Sequence, residues 1–156
     1  GRDVICLAGD GSLQMNIQEL MTMAYHQLPI KLFYLNNDGY ISMKQTQDNF
    51  FGRRIGADKG SGVGFPDITR IAAAYGLKSV KIENDKNLSR QITEVLKVDG
   101  PVICEVILPS QYFFAPKLSS ERKPDGRLVT KPMEDMFPFL DREEFKQNMI
   151  IEMANE

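Results

Sequence analysis

Asp3-Val4-Ile5-Cys6-Leu7-Ala8-Gly9-Asp10-Gly11-Ser12 opens the chain with a continuous apolar run that ends in a glycine-rich turn. A short apolar run closed by turn residues reads as a buried strand of a parallel sheet. Asn16, with Glu19 three residues on, then makes a capping-box-like helix start. Ile17, Leu20, Met21, Ala24 and Leu28 follow helical spacing as far as Pro29, which stops the helix. Ile30-Lys31-Leu32-Phe33-Tyr34-Leu35 is a second strand, closed by Asn36-Asn37-Asp38-Gly39. Strand, helix and strand make one βαβ unit, and the rest of the chain is arranged around it.

Downstream, Gly52 to Gly64 carries five glycines together with Arg53, Arg54 and Lys59, and has no periodicity. It predicts a mobile loop, on which Arg53 and Arg54 are either solvated or anion contacts. Pro66-Asp67 opens a helix through Ile68, Ile71, Ala72 and Tyr75 that Gly76 ends. Val80-Lys81-Ile82 is a short strand, Leu88, Ile92, Val95 and Leu96 mark another amphipathic helix, and Val102 to Leu108 is a fourth strand. Such alternation predicts an α/β fold: an open, doubly wound, mainly parallel sheet with helices on both faces. Residues 1–108 form this domain. Residues 109–156 change texture, with prolines at 116, 124, 132 and 138, and predict an extended capping tail with a short helix from Asp141 to Met149. The start at Gly1, with no methionine and a core strand at once, predicts a piece of a longer protein, truncated at its N-terminus.

The 156 residues are 42% hydrophobic and 26% charged, which suits a globular domain with a real core. Lys and Arg number 19 against 21 Asp and Glu, so there is no basic excess of the kind a nucleic-acid surface needs. No apolar window is long enough for a membrane span. Cys6 and Cys104 make no disulfide framework; both sit in apolar runs and read as buried free thiols in a reducing, cytoplasmic setting. His26, the only histidine, reads as a surface or helix-end residue, and Met15 and Met21 as core.

Ligands of open α/β sheets bind outside the carboxyl ends of the strands. A right-handed crossover puts Asp10 and Asn37 on the same sheet edge, although 27 residues separate them. A carboxylate and an amide oxygen are hard donors that suit Mg²⁺, which completes its octahedral shell with water and phosphate. The N–H groups of Gly11 and Ser12 and the Ser12 hydroxyl lie at a helix start, where phosphate oxygens are received. Gly39 has no side chain to keep its carbonyl from the metal. Asp-Gly and Asn-Asp-Gly are each also ordinary turn sequences. Their placement at equivalent strand ends of one βαβ unit favours a metal-bridged diphosphate. No GxxxxGK[ST] loop and no GxGxxG after the first strand is present.

Gly9-Asp10-Gly11, then 24 residues, then Asn36-Asn37 resembles the motif of thiamine-diphosphate-dependent enzymes. The longer string Gly-Asp-Gly-Ser-Leu-Gln-Met-Asn-Ile-Gln-Glu-Leu at residues 9–20 resembles the acetolactate synthase (acetohydroxyacid synthase) large subunit. The resemblance implies the C-terminal diphosphate-binding domain of such an enzyme. Asp10, Asn37 and the carbonyl of Gly39 would ligate Mg²⁺, and Gly9, Asp10, Gly11, Ser12, Asn37, Gly39, Tyr40 and Ile41 would bind thiamine diphosphate. It implies a flexible stretch after Tyr40 that folds over the site and a tail that caps it. It further implies a 2-keto acid substrate such as pyruvate, and a homodimer or homotetramer with the cofactor at a subunit interface. FAD is a further cofactor that it allows in the full-length enzyme. The activating glutamate belongs to another domain, so no catalytic residue is expected in this chain. Where these synthases carry a Gly-Met-Val-Arg-Gln-Trp-Gln type run, this chain has Ile41-Ser42-Met43-Lys44-Gln45-Thr46-Gln47, with Thr46 at the tryptophan position. That departure keeps open a related decarboxylase or carboligase with another substrate, or a non-catalytic Mg²⁺-diphosphate module.

Overall fold

A computed structural model describes residues 2–151 of the chain. Contacts divide it into two compact units, Gly1–Tyr112 and Phe113–Glu156.

In the first unit, β1 (Val4–Gly9), β2 (Ile30–Asn36), β3 (Lys78–Ile82) and β4 (Val102–Ile107) form one parallel sheet in the order β1-β2-β4-β3. The helices are α1 (Asp10–Gln14), α2 (Leu20–Tyr25), α3 (Ile41–Phe51), α4 (Ile68–Ala74) and α5 (Leu88–Leu96). Strand alternation splits the core in two. On one face Leu20, Met23 and Ala24 of α2 and Ile68 and Ala72 of α4 pack with Leu32, Tyr34 and Ile103. On the other, Val95 of α5 packs with Phe33, Ile82, Val102 and Cys104. The doubly wound parallel α/β fold read from the sequence is therefore the fold observed. The helices α4 and α5 lie where their apolar spacing places them, and α4 begins at its cap residue. Asp67 caps α4 by accepting from the N–H of Thr69 and Arg70, and Gly76 follows it at φ +71°.

Several local expectations are corrected. The apolar run of β1 is not buried. As an edge strand it is bonded to β2 alone, so Val4, Ile5 and Leu7 are exposed, Leu7 to 69%. Cys6 on the same strand is exposed, while Cys104 on β4 is buried. Asn16 makes no side-chain cap, because the chain already turns into α1 at Asp10. Glu19 instead accepts from the Thr22 hydroxyl at 2.9 Å. A 3₁₀ turn over Ile17–Glu19 leads into α2, and its tighter winding rotates the apolar stripe. Met23 is then the buried methionine (5% exposed), whereas Met21 is 49% exposed and Met15 is also on the surface.

The stretch after Tyr40 is an eleven-residue helix, α3, ended by Gly52 at φ +59°. Its periodicity is hidden because one of its buried residues is a lysine. The glycine-rich stretch that follows is held by polar bonds rather than left mobile. The Gln47 side chain donates to Ile55 O and accepts from Ile55 N. Arg54 pairs with Asp48 and Asp58, and Asp58 and Ser61 form a capping box around a 3₁₀ turn at Lys59–Ser61. His26 is exposed at the end of α2, as read.

In the second unit, the proline-containing stretch includes an antiparallel hairpin, β5 (Ser120–Arg122) with β6 (Leu128–Thr130), where only an extended tail was expected. The helix α6 (Arg142–Asn148) starts at the Asp141 cap and buries Phe145. Arg142 binds both carboxylate oxygens of the buried Asp135, at 2.7 and 2.9 Å. Among the described residues no helix is long and apolar enough to cross a membrane.

Ile68 is fully buried between α4 and the sheet, so Ile68→Ala should cost about 2–5 kcal/mol. Removing the α4 cap with Asp67→Ala should cost about 1 kcal/mol. Urea unfolding of the two variants checks both the values and their order.

Candidate functional site

The carboxyl ends of β1 and β2 lie side by side, with Gly9 paired to Leu35. Asp10 follows β1 at once and is 2% exposed. Its Oδ1 accepts from Gly11 N at 2.7 Å, and its Oδ2 from Asn37 N at 3.2 Å and Gly39 N at 2.9 Å. The carboxylate thus ties the start of α1 to the turn after β2, and Asp10, Asn37 and Gly39 are brought together. Gly11 N is taken by this bond, whereas Ser12 is exposed at the mouth of the turn.

The two asparagines diverge. Asn36 Nδ2 donates to Glu105 Oε1 on β4 at 2.7 Å, and Asn36 Oδ1 accepts from Asp38 N at 3.3 Å. Asn37 Nδ2 donates to the Tyr112 hydroxyl at 3.4 Å, and Asn37 Oδ1 is buried with no hydrogen-bond partner. A buried acceptor left without a partner costs about 1–3 kcal/mol. A cation at this point would satisfy it. A carboxylate offers about four lone-pair sites, and three N–H bonds leave one on Asp10 Oδ1. One open carboxylate position and one orphaned amide oxygen fit a hard divalent cation. Among the described residues no group of three His, Cys, Asp or Glu is placed to hold a metal, so a cation here would need amide and carbonyl oxygens beside the one carboxylate of Asp10.

Close packing shapes the surroundings. A Cβ on Gly11 would run into the Tyr40 ring, which also meets Phe65 edge-on at 5.7 Å. Gly39 sits at φ +132°, and a Cβ there would strike Ala57 O, whose carbonyl accepts from Tyr40 N at 2.8 Å. Both positions therefore require glycine. Gly9 does not, since its Cβ would meet nothing nearer than Ser12 Oγ at 3.8 Å. Ile41 is buried at the start of α3.

Titration follows burial and charge. Burial, aided by the charges of Asp10 and Glu105, pushes the Tyr34 phenol well above its usual range. Burial, with Glu105 beside it, lifts the Cys104 thiol to about 11, which keeps it an unreactive packing group. Hydrogen bonds from Arg54 to Asp48, and from Ser61 and then Arg54 to Asp58, hold both carboxyls below the ordinary carboxylate range.

Three residues at or near this site carry no motif in the sequence. Lys44 and Glu105 each sit among residues of other character, Tyr112 heads the aromatic run Tyr112-Phe113-Phe114, and only the fold brings them to the turn.

Residues 1–106 match the family model described as thiamine pyrophosphate enzyme, C-terminal TPP binding domain. The chain belongs to this thiamine pyrophosphate enzyme family. Its curated relatives include the acetolactate synthase large subunit of Cyanidium caldarium, 34% identical over 67% of this chain and 18% of that protein. Another is the probable chloroplastic acetolactate synthase 2 of rice, 31% identical over 77% of this chain and 19% of that protein. The chain thus spans about a fifth of the length of such relatives. A solved thiamine diphosphate-dependent 4-hydroxybenzoylformate decarboxylase of Rhodococcus jostii superposes with a TM-score of 0.62 at 26% identity, over 70% of this chain and 20% of that one. The chain is a TPP-binding domain of the acetolactate synthase-like kind, and Asp10 and the Asn37–Gly39 turn lie inside the matched residues.

The depressed carboxyls of Asp48 and Asp58 hold the loop through Arg54 at neutral pH. Their contribution is present above the ordinary carboxylate range and is lost as pH falls through the depressed values. Hydrogen exchange over residues 52–63, measured relative to α5, should rise in that acid window, and Arg54→Met should remove the step.

Proposed function

We propose that this domain holds the diphosphate of thiamine diphosphate through Mg²⁺ bound to Asp10, Asn37 and the carbonyl of Gly39. The enzyme it serves decarboxylates a 2-keto acid such as pyruvate and passes the two-carbon unit to an acceptor. The observation that carries the metal site is the buried, partnerless Asn37 Oδ1 in the turn whose N–H groups bind Asp10. When bound, thiamine diphosphate supplies the nucleophilic carbon and the electron sink for breaking a bond next to a keto group.

Within this scheme the chain binds and orients. Asp10 supplies the negative charge opposite the cation, and the exposed Ser12 offers its hydroxyl and N–H to a diphosphate oxygen. Tyr40, set against Gly11 and Phe65, and the buried Ile41 wall the turn on the α3 side. The activating glutamate is assigned to another domain, and the working assembly to a homodimer or homotetramer with the cofactor at a subunit interface. The unpaired Cys6 and Cys104 favour a reducing compartment, assigned as the cytoplasm.

A second reading concerns the substrate. Thr46 is exposed on α3 where the synthases carry tryptophan. Two structural relatives are a 4-hydroxybenzoylformate decarboxylase and a benzoylformate decarboxylase. Both observations favour a decarboxylase or carboligase with a different acceptor or none.

Calorimetric titration of the full-length protein with thiamine diphosphate tests the metal site. Binding should need Mg²⁺ and be reversed by EDTA. Asp10→Ala should weaken it by more than the roughly 10–100-fold that loss of an outer partner costs a metal site. EDTA-insensitive affinity retained in that variant would remove the metal assignment. Thr46→Trp should change product choice while leaving cofactor affinity near wild type, and an unchanged product profile would take Thr46 out of the acceptor pocket.

A further inference from the structure

Lys44 on α3 is 3% exposed. Its ammonium donates to three carbonyl oxygens: Asn37 at 3.2 Å, Asp38 at 3.1 Å and Ser110 at 2.9 Å. A lysine has three N–H donors and no acceptor, so all its donors are engaged, and none by a carboxylate. A buried charge is tolerated only when hydrogen-bonded in this way. Two of the three carbonyls belong to the turn that carries the proposed metal ligand.

The peptide between Asp38 and Gly39 is gripped at both ends. Its oxygen accepts from Lys44, and its N–H donates to Asp10 Oδ2 at 2.9 Å. The backbone here is strained, with Asp38 at φ +55° and Gly39 at φ +132°. Such a conformation persists only where the surroundings over-determine it. The third carbonyl ties in the segment after β4. Gln45, next to Lys44, donates from Nε2 to Tyr112 O at 2.9 Å, and the Tyr112 hydroxyl accepts from Asn37 Nδ2. Ser110 and Tyr112 lie beyond the residues matched by the family model, which end at 106.

We infer that Lys44 is a positioning residue for the cofactor's metal: its ammonium sets the Asn37–Gly39 peptide planes so that Asn37 Oδ1 stays unpaired in the turn whose N–H groups bind Asp10. The metal part of this inference rests on the proposed Mg²⁺ site, while the control of the turn does not. A second role has the opposite sign. An ammonium repels a nearby cation, so a purely electrostatic Lys44 would weaken metal binding and its removal would tighten it.

Lys31 is the natural control. It is the other buried lysine, and its ammonium also caps two carbonyls, those of Val98 and Gly100, but at the opposite end of β2. The test compares Lys44→Met and Lys31→Met in the full-length protein with saturating thiamine diphosphate. Mn²⁺ affinity is read by electron paramagnetic resonance, and amide exchange over residues 36–40 is read in the metal-free protein. Lys44→Met should raise the Mn²⁺ Kd by roughly 10–100-fold and speed exchange at Asn37 and Gly39. Lys31→Met, remote from the turn, should leave both within about twofold of wild type whatever it does to the unfolding midpoint. Unchanged exchange in Lys44→Met, a tighter Mn²⁺ Kd, or equal effects from Lys31→Met would each overturn the inference. If the wild-type protein takes up no Mn²⁺, the proposed metal site falls with its metal arm, and the exchange comparison alone decides whether Lys44 sets the turn. Should Lys44→Met fail to fold, Lys44→Arg keeps the charge, loses the three-carbonyl fit, and should give the same direction of change.

Discussion

One carboxylate joins the two halves of the βαβ unit. Asp10 accepts one N–H from the start of its own helix and two from the turn after the neighbouring strand. Hydrogen bonds to an ionised acceptor contribute about 1.5–3 kcal/mol each, well above the ordinary value. The other features of the site follow from this. Gly11 and Gly39 must be glycine because the chain is drawn so close that Tyr40 and Ala57 fill the space a side chain would need. Asp38 is held in the left-handed region because the turn must aim two alternate N–H groups at one oxygen.

The parts of the fold legible in the sequence are those built on apolar period and caps. The strands β2 and β4 and the helices α4 and α5 pack through regular apolar spacing, and that spacing is visible in a string of letters. The pairing of Asp10 with Asn37 was legible for a topological reason, since a crossover must bring both strand ends to one edge. What escaped is what polar bonds build. The helix α3 buries Lys44 together with Ile41, so its inner face does not read as apolar. The loop from Gly52 to Gly64 has no apolar period because Arg54, Asp58, Gln47 and Ser61 hold it. The exposure of β1 escaped for a different reason. An apolar run has the same composition at an edge as in the middle of a sheet, and strand order is a property of the whole fold.

The two buried lysines show how the sheet manages its loops. Lys31 and Lys44 cap loop carbonyls at opposite ends of β2; Lys31 has the Asp3 carboxylate 3.9 Å away as well, whereas the donors of Lys44 all go to carbonyls. Apolar side chains cannot satisfy those carbonyls. A long side chain with three donors reaches several at once. The same logic separates Asn36 from Asn37. Asn36 is consumed by Glu105 and the backbone of Asp38, whereas Asn37 keeps one oxygen unspoken for.

That single oxygen carries the functional argument because it is the exception to a strict rule. Nearly every buried acceptor in a folded protein has a partner. Here the chain surrounds the orphan with a strained turn and a buried ammonium, each of which costs free energy to assemble, and the Asp10 carboxylate that anchors the turn keeps one position open. A simple turn needs neither a strained backbone nor a buried ammonium. A turn that only had to reverse the chain would therefore lack the Lys44 clamp. The proposed metal site needs an amide oxygen held in place before a cation arrives, which requires both a clamp and an anchor, and this turn has Lys44 and Asp10.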